Sequence, residues 1–356
     1  MKSLQLGESK IYFGDEIYKA LNLQLQNGSY SSVFIFTDTN VHQKVAYLLL
    51  EKLSTNLKIE VIEIEPGEES KNISVCNETW KALSDLGADR NSLILNLGGG
   101  VVTDLGGFIA STFRRGIDFI HVPTSLLGMV DASLGGKNGI DLGHLKNQIG
   151  TIVLPKMVLI HTDFLTSLPI EEYRSGLAEM IKHGIIYSQP YFSYFEKLHN
   201  YDAAFLMQLI YDSVQIKCNI VEADPFEKNE RKTLNFGHTL GHAIESYFML
   251  NEDKKRLLHG EAIAIGMVLE SYLSHKKLQL NKNELEQISK VISTTYKAVQ
   301  FNAKDIDEII QLLKFDKKNK GAQINFVLLN NIGNCSIDQQ VENDLILEAF
   351  NYYSKL

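Results

Sequence analysis

The chain has 356 residues, 44% of them hydrophobic and 22% charged, which excludes a mainly disordered or collagen-like polypeptide. At roughly 100–200 residues per domain, two domains are expected, each long enough to bury its own core. Lysine and arginine number 35 against 43 aspartates and glutamates, and a net charge of −8 argues against a general nucleic-acid binder, whose affinity rests on a basic surface. No apolar run approaches the ~20 residues that span a bilayer. The N-terminal MKSLQLGESK lacks the apolar segment of a signal peptide. Cys76, Cys218 and Cys335 show no metal or redox spacing, so reduced cytoplasmic thiols are expected.

In chain order, SSVFIFTD reads as a strand and residues 41–52 as a helix with one apolar face. IEVIEIE alternates with period two, residues 74–86 are again helical, SLILNLGGG is a buried strand running into glycines, and IDFIHVP is a further strand. Strands separated by helices imply βαβ units and a doubly wound parallel sheet. The character changes within LTSLPIEEYRSGLAEMIKHG, where Ser167 as cap, Pro169 in the first turn and Glu171–Glu172 mark a helix start. Helical patterns follow at 190–198, 203–222, 238–249, 260–278, 282–295 and 305–313, with QINFVLLNNIG as a late strand and turn. The expected division is an α/β domain over 1–167 and a mostly helical domain over 168–356.

Gly98, Gly99 and Gly100 follow an apolar strand and precede a helical stretch. Glycines there let a backbone approach a pyrophosphate, and the helix start offers N–H groups and partial positive charge. Asp104 would cap that helix or bond a ribose or nicotinamide. The spacing is not the G-x-G-x-x-G dinucleotide fingerprint, and a tight strand–helix turn would also use these glycines. Asp38 and Asn40, Glu68 and Lys71, and Thr124 and Ser125 follow other predicted strands, on the carboxyl edge where open α/β sheets bind ligands. Each alone reads as a turn or cap residue; their shared topological position is the signal. DASLGGKNGIDLGHLKNQIG reads as a flexible loop carrying Lys137, Lys146 and Asn147, groups suited to a phosphate. Arg114–Arg115 is either an exposed pair or a phosphate clamp.

LNFGHTLGHAIESYFML places His238 and His242 at i, i+4, on one helix face about 6 Å apart. His259 opens the next helix, in LLHGEAIAIGM. The pattern is not H-E-x-x-H, and a carboxylate is missing. Glu179 in GLAEMIKHG is the best candidate, on a helix that also bears Lys182 at i+3. Two imidazoles and a carboxylate leave an open position, as catalytic zinc requires. The spacing does not choose between His238 and His242. The other seven of the ten histidines read as ordinary core or surface residues. Glu227 and Arg231 at i, i+4, with Lys217 upstream, read as well as a solvated salt-bridged face as a binding site. DKKNKG is a polar turn that would be solvated or contribute Lys317 or Lys318 to an anion site.

PGEESK, GGGVVTDLGGF, HVPTSLLGMVDASLGGK, LKNQIG, FLTSLP, GLAEMIKHG, LNFGHTLGHAIE, LHGEAIAIGM and DKKNKG occur in the order of the 3-dehydroquinate synthase family, which the chain closely resembles over about residues 30–335. LNFGHTLGHAIE followed by LHGEA is highly specific; the glycine run is shared with metal-dependent polyol dehydrogenases. The resemblance implies a Rossmann-like parallel-sheet domain, a mostly helical metal-binding domain and an active site in the cleft between them. It implies zinc or cobalt on Glu179, His238 and His259, with His242 not a ligand but a residue that either supports the ligands from behind or transfers a proton. NAD would lie along Asp38, Asn40, Glu68, Lys71, the stretch Gly99, Gly100, Val101, Val102, Thr103 and Asp104, then Thr124, Ser125, Lys146, Phe164 and Ser167. Asp131, Lys137 and Asn147 match positions around nicotinamide, substrate and phosphate; Lys182, Lys217, Glu227, Arg231, Asn235, His242 and one of Lys317 or Lys318 would complete the substrate pocket. Lys137, Lys182, Glu227, Asn235 and His242 are the implied catalytic groups. Arg115 would reach the phosphate in a partner subunit, so a homodimer is implied.

The chain departs from the family pattern at Thr103 and Leu145, where glycine is common, and at Asn138, where threonine is frequent; Ser167 for the usual threonine keeps the hydroxyl. The implied reaction converts 3-deoxy-D-arabino-heptulosonate 7-phosphate to 3-dehydroquinate and phosphate. It proceeds by transient NAD oxidation, phosphate elimination, reduction and intramolecular aldol closure. Its rivals are a cyclase for a substrate without the carboxylate, a polyol dehydrogenase that would release NADH, and a catalytically inert binding protein. Lys217 and Arg231 together argue against the first, and the full set of pocket residues against the last.

Overall fold

The computed structural model describes residues 3–143, 145–197, 202–318 and 324–356, the side chains of 314–318 excepted. The apolar runs of the first half become one seven-stranded sheet. Its strands are β1 (Leu4–Leu6), β2 (Ser9–Phe13), β3 (Ser32–Asp38), β4 (Lys58–Ile64), β5 (Leu93–Gly98), β6 (Asp118–Pro123) and β9 (Met157–Ile160), in the order β1-β2-β9-β6-β5-β3-β4. β1 and β2 are antiparallel; the other neighbours are parallel, with Phe34 opposite both Glu60 and Ile94. β5 is buried along its whole length, as a strand covered on both faces must be, whereas edge strand β4 buries Ile62 and Ile64 and exposes Glu63 between them. The expected parallel α/β sheet is thus present.

Helices α1 (Glu16–Asn27), α2 (Thr39–Lys44), α3 (Ala46–Leu50), α4 (Ile73–Asp85) and α5 (Gly100–Thr112) connect the strands. The single helix expected over 41–52 is broken at Val45, whose ψ of −28° is paired with a φ of −132°. Asn72 caps α4 by accepting from the Ser74 and Val75 amides. Phe36, Ile94, Leu105, Ile109, Phe119 and Ile140 form the centre of this core; each such buried side chain contributes about 1.5–3 kcal/mol. The stretch 131–150, expected as a flexible loop, is instead mostly a hairpin of β7 (Lys137–Leu142) and β8 (Leu145–Ile152). Gly135 and Gly136, at φ +86° and +69°, turn the chain into it. Ile140 points to the core, while Leu142, Leu145, Ile149 and Ile152 are exposed.

The chain forms two compact units, Met1–Tyr173 with Tyr201–Glu222 and Arg174–Asn200 with Ala223–Leu356. A single boundary at 168 therefore misplaces residues 201–222. They lie in α8 (Ala203–Ala223), whose Tyr211 packs edge-on against Phe13 at 5.0 Å and whose Lys217 binds Asp131, both in the first unit.

The second unit is built from α6 (Ile170–Tyr187, from Arg174 onward), α7 (Gln189–Phe192), α9 (His238–Leu250), α10 (His259–Lys277), α11 (Lys282–Thr295), α12 (Ala303–Lys318), α13 (Asn343–Tyr353) and the hairpin β10 (Asn325–Asn331)–β11 (Asn334–Gln340). The helix expected at 190–198 is shorter, reduced to α7 and a 3-10 turn at Phe195–Lys197; residue 198 lies outside the described residues. α10 is buried on all sides through Ile263, Ile265, Met267, Val268, Leu269 and Leu273. α9 meets it at backbone distance: a Cβ on Gly237 (φ +77°) would stand 2.6 Å from Met267 Cγ, and one on Gly266 2.0 Å from the Gly237 carbonyl oxygen. That approach sets His238 and His259, the first residues of α9 and α10, side by side. Among the described residues no helix is long and apolar enough to cross a membrane.

Candidate active site

In the first unit the glycine run does what its composition predicts locally. Gly99 precedes the first turn of α5 in extended conformation, and the Thr124 amide donates to the Gly98 carbonyl at 3.0 Å. Ser125 stands over the loop, its Oγ 3.2 Å from where a Gly99 Cβ would be, and accepts from the Gly128 amide at 3.1 Å. Asp38 caps α2 through the Val41 amide at 3.0 Å. Thr103, a departure from the family pattern, is fully buried, with its hydroxyl donating to the Gly100 carbonyl at 3.0 Å. Leu145 is half exposed on the hairpin.

The charged residues of this edge form one network. The Lys71 ammonium, 4% exposed, donates to Asp104 Oδ2 at 2.7 Å and Asn147 Oδ1 at 2.6 Å, with Glu68 at 4.0 Å. Burial opposes the Lys71 charge, but the Asp104 and Glu68 carboxylates outweigh it and hold its pKa above the ordinary value. The hairpin is docked onto the same residue: the Asp141 amide donates to the Lys71 carbonyl at 2.8 Å, and Asp141 Oδ1 accepts from the Asn147 amide at 2.7 Å. Asn147 sits at φ +52° in this contact. Lys146 lies 3.7 Å from Glu68, and Asn138, the third departure, ties the hairpin base to the Gly136 and Val153 carbonyls. Lys217 grips Asp131 through its carbonyl and carboxylate, each at 2.6 Å. Asn40, Lys137, Ser167 and Arg115 are exposed, the last at φ +72°. Phe164 is fully buried, with its ring 6.1 Å from His161, so its side chain belongs to the core.

In the second unit Glu179, on α6, is fully buried, and among the described residues neither carboxylate oxygen has a partner in hydrogen-bond geometry. Oε2 forms an ion pair with Lys182, which is 1% exposed and one turn along the same helix. Oε1 faces His238 Nε2 at 3.6 Å and His259 Nε2 at 3.9 Å. Each imidazole is oriented through its other nitrogen: His238 Nδ1 lies 3.1 Å from the Phe236 carbonyl and His259 Nδ1 3.3 Å from Glu245 Oε2. Burial, then the Lys182 charge and the neighbouring imidazoles, pushes the His238 pKa well below the ordinary value, leaving a neutral ring as metal ligation requires. Ligand atoms held ~2.0–2.2 Å from one tetrahedral ion stand roughly 3.4 Å apart. A buried carboxylate oxygen facing two imidazole nitrogens at about that spacing fits a divalent cation. His242 is exposed and completes a three-imidazole cluster whose ligand atoms lie within 4.8 Å of one another. His238 and His259 have their Nε2 atoms aimed at the carboxylate.

The loop after α8 is folded around Asp224, whose carboxylate accepts from the Lys228, Asn229 and Arg231 amides at 3.0, 2.6 and 3.2 Å. Burial opposes this charge, but the three amide bonds hold the carboxyl below its usual range. Glu227, at φ +57°, accepts from Asn235 at 2.9 Å, and buried Arg231 donates to the Pro225 carbonyl at 2.7 Å. Lys317 and Lys318 close α12, and their side chains lie outside the described residues.

Reading the sequence missed three carboxylates that shape these groups. Glu245 stands at i+7 from His238, a helical-face spacing visible in HTLGHAIE. Asp224 and Glu270 carry no such mark. Glu270, fully buried on α10, supplies the cap that Gly237 lacks by accepting from the Gly237 and Leu240 amides at 2.7 and 3.1 Å, 30 or more residues away in sequence.

This geometry has close relatives. A 2-epi-5-epi-valiolone synthase from Streptomyces hygroscopicus superposes with a TM-score of 0.85 at 25% identity, covering 100% of this chain and 99% of that one; its structure holds NAD+ and Zn2+. A glycerol dehydrogenase from Schizosaccharomyces pombe shares the fold at a TM-score of 0.62 and 15% identity, over 99% of this chain and 91% of that one. The fold is therefore one shared by a 2-epi-5-epi-valiolone synthase and a glycerol dehydrogenase. Within that class the N-terminal model of 3-dehydroquinate synthase matches residues 61–175 and the C-terminal model residues 176–319. The 3-dehydroquinate synthase of Parabacteroides distasonis is 41% identical over 98% of each chain. The chain belongs to the 3-dehydroquinate synthase family.

Proposed function

We propose that this chain is an NAD- and divalent-metal-dependent lyase of that family, converting 3-deoxy-D-arabino-heptulosonate 7-phosphate to 3-dehydroquinate and phosphate. The observation that carries the metal assignment is the sealed Glu179 carboxylate, with Oε1 aimed between His238 Nε2 and His259 Nε2. Glu179, His238 and His259 would hold zinc or cobalt. Asp38, Asn40, Glu68, Lys71, the Gly99–Asp104 turn, Thr124, Ser125, Lys146 and the backbone near Phe164 and Ser167 would hold NAD. Bound there, these groups supply a Lewis acid and a hydride acceptor that is regenerated in the same turnover.

The chain's own residues supply the rest. Lys137 and Asn147, with Arg115, suit the phosphate, and a guanidinium such as Arg231, with Lys217, suits the substrate carboxylate. Glu227 and Asn235, already bonded to each other, would orient the polyol. His242 is exposed beside the two half-buried imidazoles and can carry a proton at its ring. Lys182 pairs with the Glu179 carboxylate from one turn along the same helix. A homodimer that lends Arg115 to its partner is part of this reading. It is supported by the exposed Arg115 and by the aliphatic face of the β7–β8 hairpin, which Thr151 joins to Ser111 at 2.8 Å. A cytoplasmic location is supported by three free thiols.

The test is to incubate metal-loaded protein with the heptulosonate phosphate and NAD. Phosphate release without accumulation of NADH, abolished by chelator, is expected. Net NADH formed from a plain polyol would overturn the reading in favour of a dehydrogenase.

A further inference from the structure

Beyond the residues assigned above, the second unit holds a buried carboxylate beside the candidate ligands that the proposed chemistry does not use. Glu245 is 8% exposed on α9, seven residues after His238, and its Oε2 lies 3.3 Å from His259 Nδ1. The two candidate imidazole ligands are thus held differently. His238 is oriented by a neutral backbone carbonyl at 3.1 Å, His259 by a carboxylate from another helix.

Charge makes that difference matter. The Glu179 carboxylate is already paired with the Lys182 ammonium, so these two residues together contribute no net negative charge toward a divalent ion. Burying a dication among neutral imidazoles is costly unless further negative charge stands close. Glu245 provides it without occupying a coordination position. By accepting the His259 Nδ1 proton it also fixes the tautomer whose Nε2 lone pair faces Glu179, the arrangement by which carboxylates beyond the ligand shell strengthen metal sites. The helix geometry permits this because i and i+7 lie on one face and α9 is pressed against α10 at Gly237 and Gly266.

We infer that Glu245 is a positioning residue for the metal, orienting His259 through Nδ1 and compensating the charge of a divalent cation held by Glu179, His238 and His259. The inference rests on the metal reading above, and the experiment separates the two. Apo protein is titrated with Co2+ against a competing chelator, with visible absorption as readout, for the parent, Glu245→Gln, His259→Ala and Glu179→Ala. Loss of Co2+ binding in His259→Ala and Glu179→Ala upholds the ligand assignment. With it upheld, a 10–100-fold weaker Co2+ affinity in Glu245→Gln supports the role of Glu245, while affinity within threefold of the parent overturns that role alone. Parent-like binding in His259→Ala and Glu179→Ala would overturn both. Should Glu245→Gln not fold, the 15N chemical shifts of His259 in the Co2+-free parent decide: an Nδ1–H tautomer supports the inference, an Nε2–H tautomer overturns it.

Discussion

The two charged clusters answer their buried charges in opposite ways. In the first unit Lys71 is bonded to Asp104 and Asn147, and Asn147 to Asp141, so the network is closed by the protein itself. In the second unit the Lys182 ammonium meets one oxygen of the Glu179 carboxylate, while the other, sealed from water, faces two ring nitrogens whose other nitrogen is already engaged. A closed network stiffens a loop before any ligand arrives. An open one is costly to fold around and is completed by a cation. The comparison separates residues that shape a site from residues that wait for something to enter it.

The sharpest way to break this contrast is to remove one ligand. His259→Ala should lose the metal and at least ~10³-fold in kcat, about 4 kcal/mol, while His242→Ala should keep the metal and lose activity alone; metal content by elemental analysis beside turnover decides it. Equal metal loss in both would mean that the three imidazoles, not Glu179 with two of them, form the site. The closed network should fail differently. Asp104→Ala leaves a buried ammonium at Lys71 and should cost about 3–5 kcal/mol of stability by denaturant unfolding, and adding Lys71→Met should recover part of that loss. Additive losses would show that the pair is not coupled.

Saturating zinc at about a hundred times its Kd should raise the stability of the second unit by ~2.7 kcal/mol; an unchanged melting profile would contradict an open site. The first unit should respond to pH instead. Burial pushes His121, beside Asn96, down from 6.5 to about 3. The unfolded chain takes up that proton near 6.5 and the fold does not. Its stabilising contribution is therefore full above about pH 6.5 and falls as pH is lowered toward 3, by up to ~1.4 kcal/mol per pH unit. His121→Asn should flatten that slope, and an unaltered slope would assign it to other groups. The smallest effect is expected at Lys282–Glu286, an exposed i, i+4 pair at 3.5 Å, where Lys282→Ala should change stability by less than ~0.5 kcal/mol.

Much of both clusters was legible before any coordinates. The i, i+4 histidines, the helix-opening His259 and the Glu179–Lys182 pair at i+3 are local spacings, and local spacing survives folding. The β7–β8 hairpin was not legible, because paired glycines and lysines read as a mobile loop. Its order comes from Asn138 and Asp141 bonding groups elsewhere in the chain. α8 was assigned by sequence order to the helical half, yet Tyr211 and Lys217 find their partners in Phe13 and Asp131, about 200 and 86 residues away.

Periodicity, glycine placement and helix-start signals determined by themselves that a parallel α/β sheet precedes a helical region, and which side chains could carry chemistry. Only the tertiary structure decided which histidine nitrogens face Glu179, that Glu270 caps the helix of His238, and that Glu245 stands behind His259. These choices depend on two backbones meeting at Gly237 and Gly266, and close packing between helices is a property of the pair that neither helix's own sequence pattern encodes.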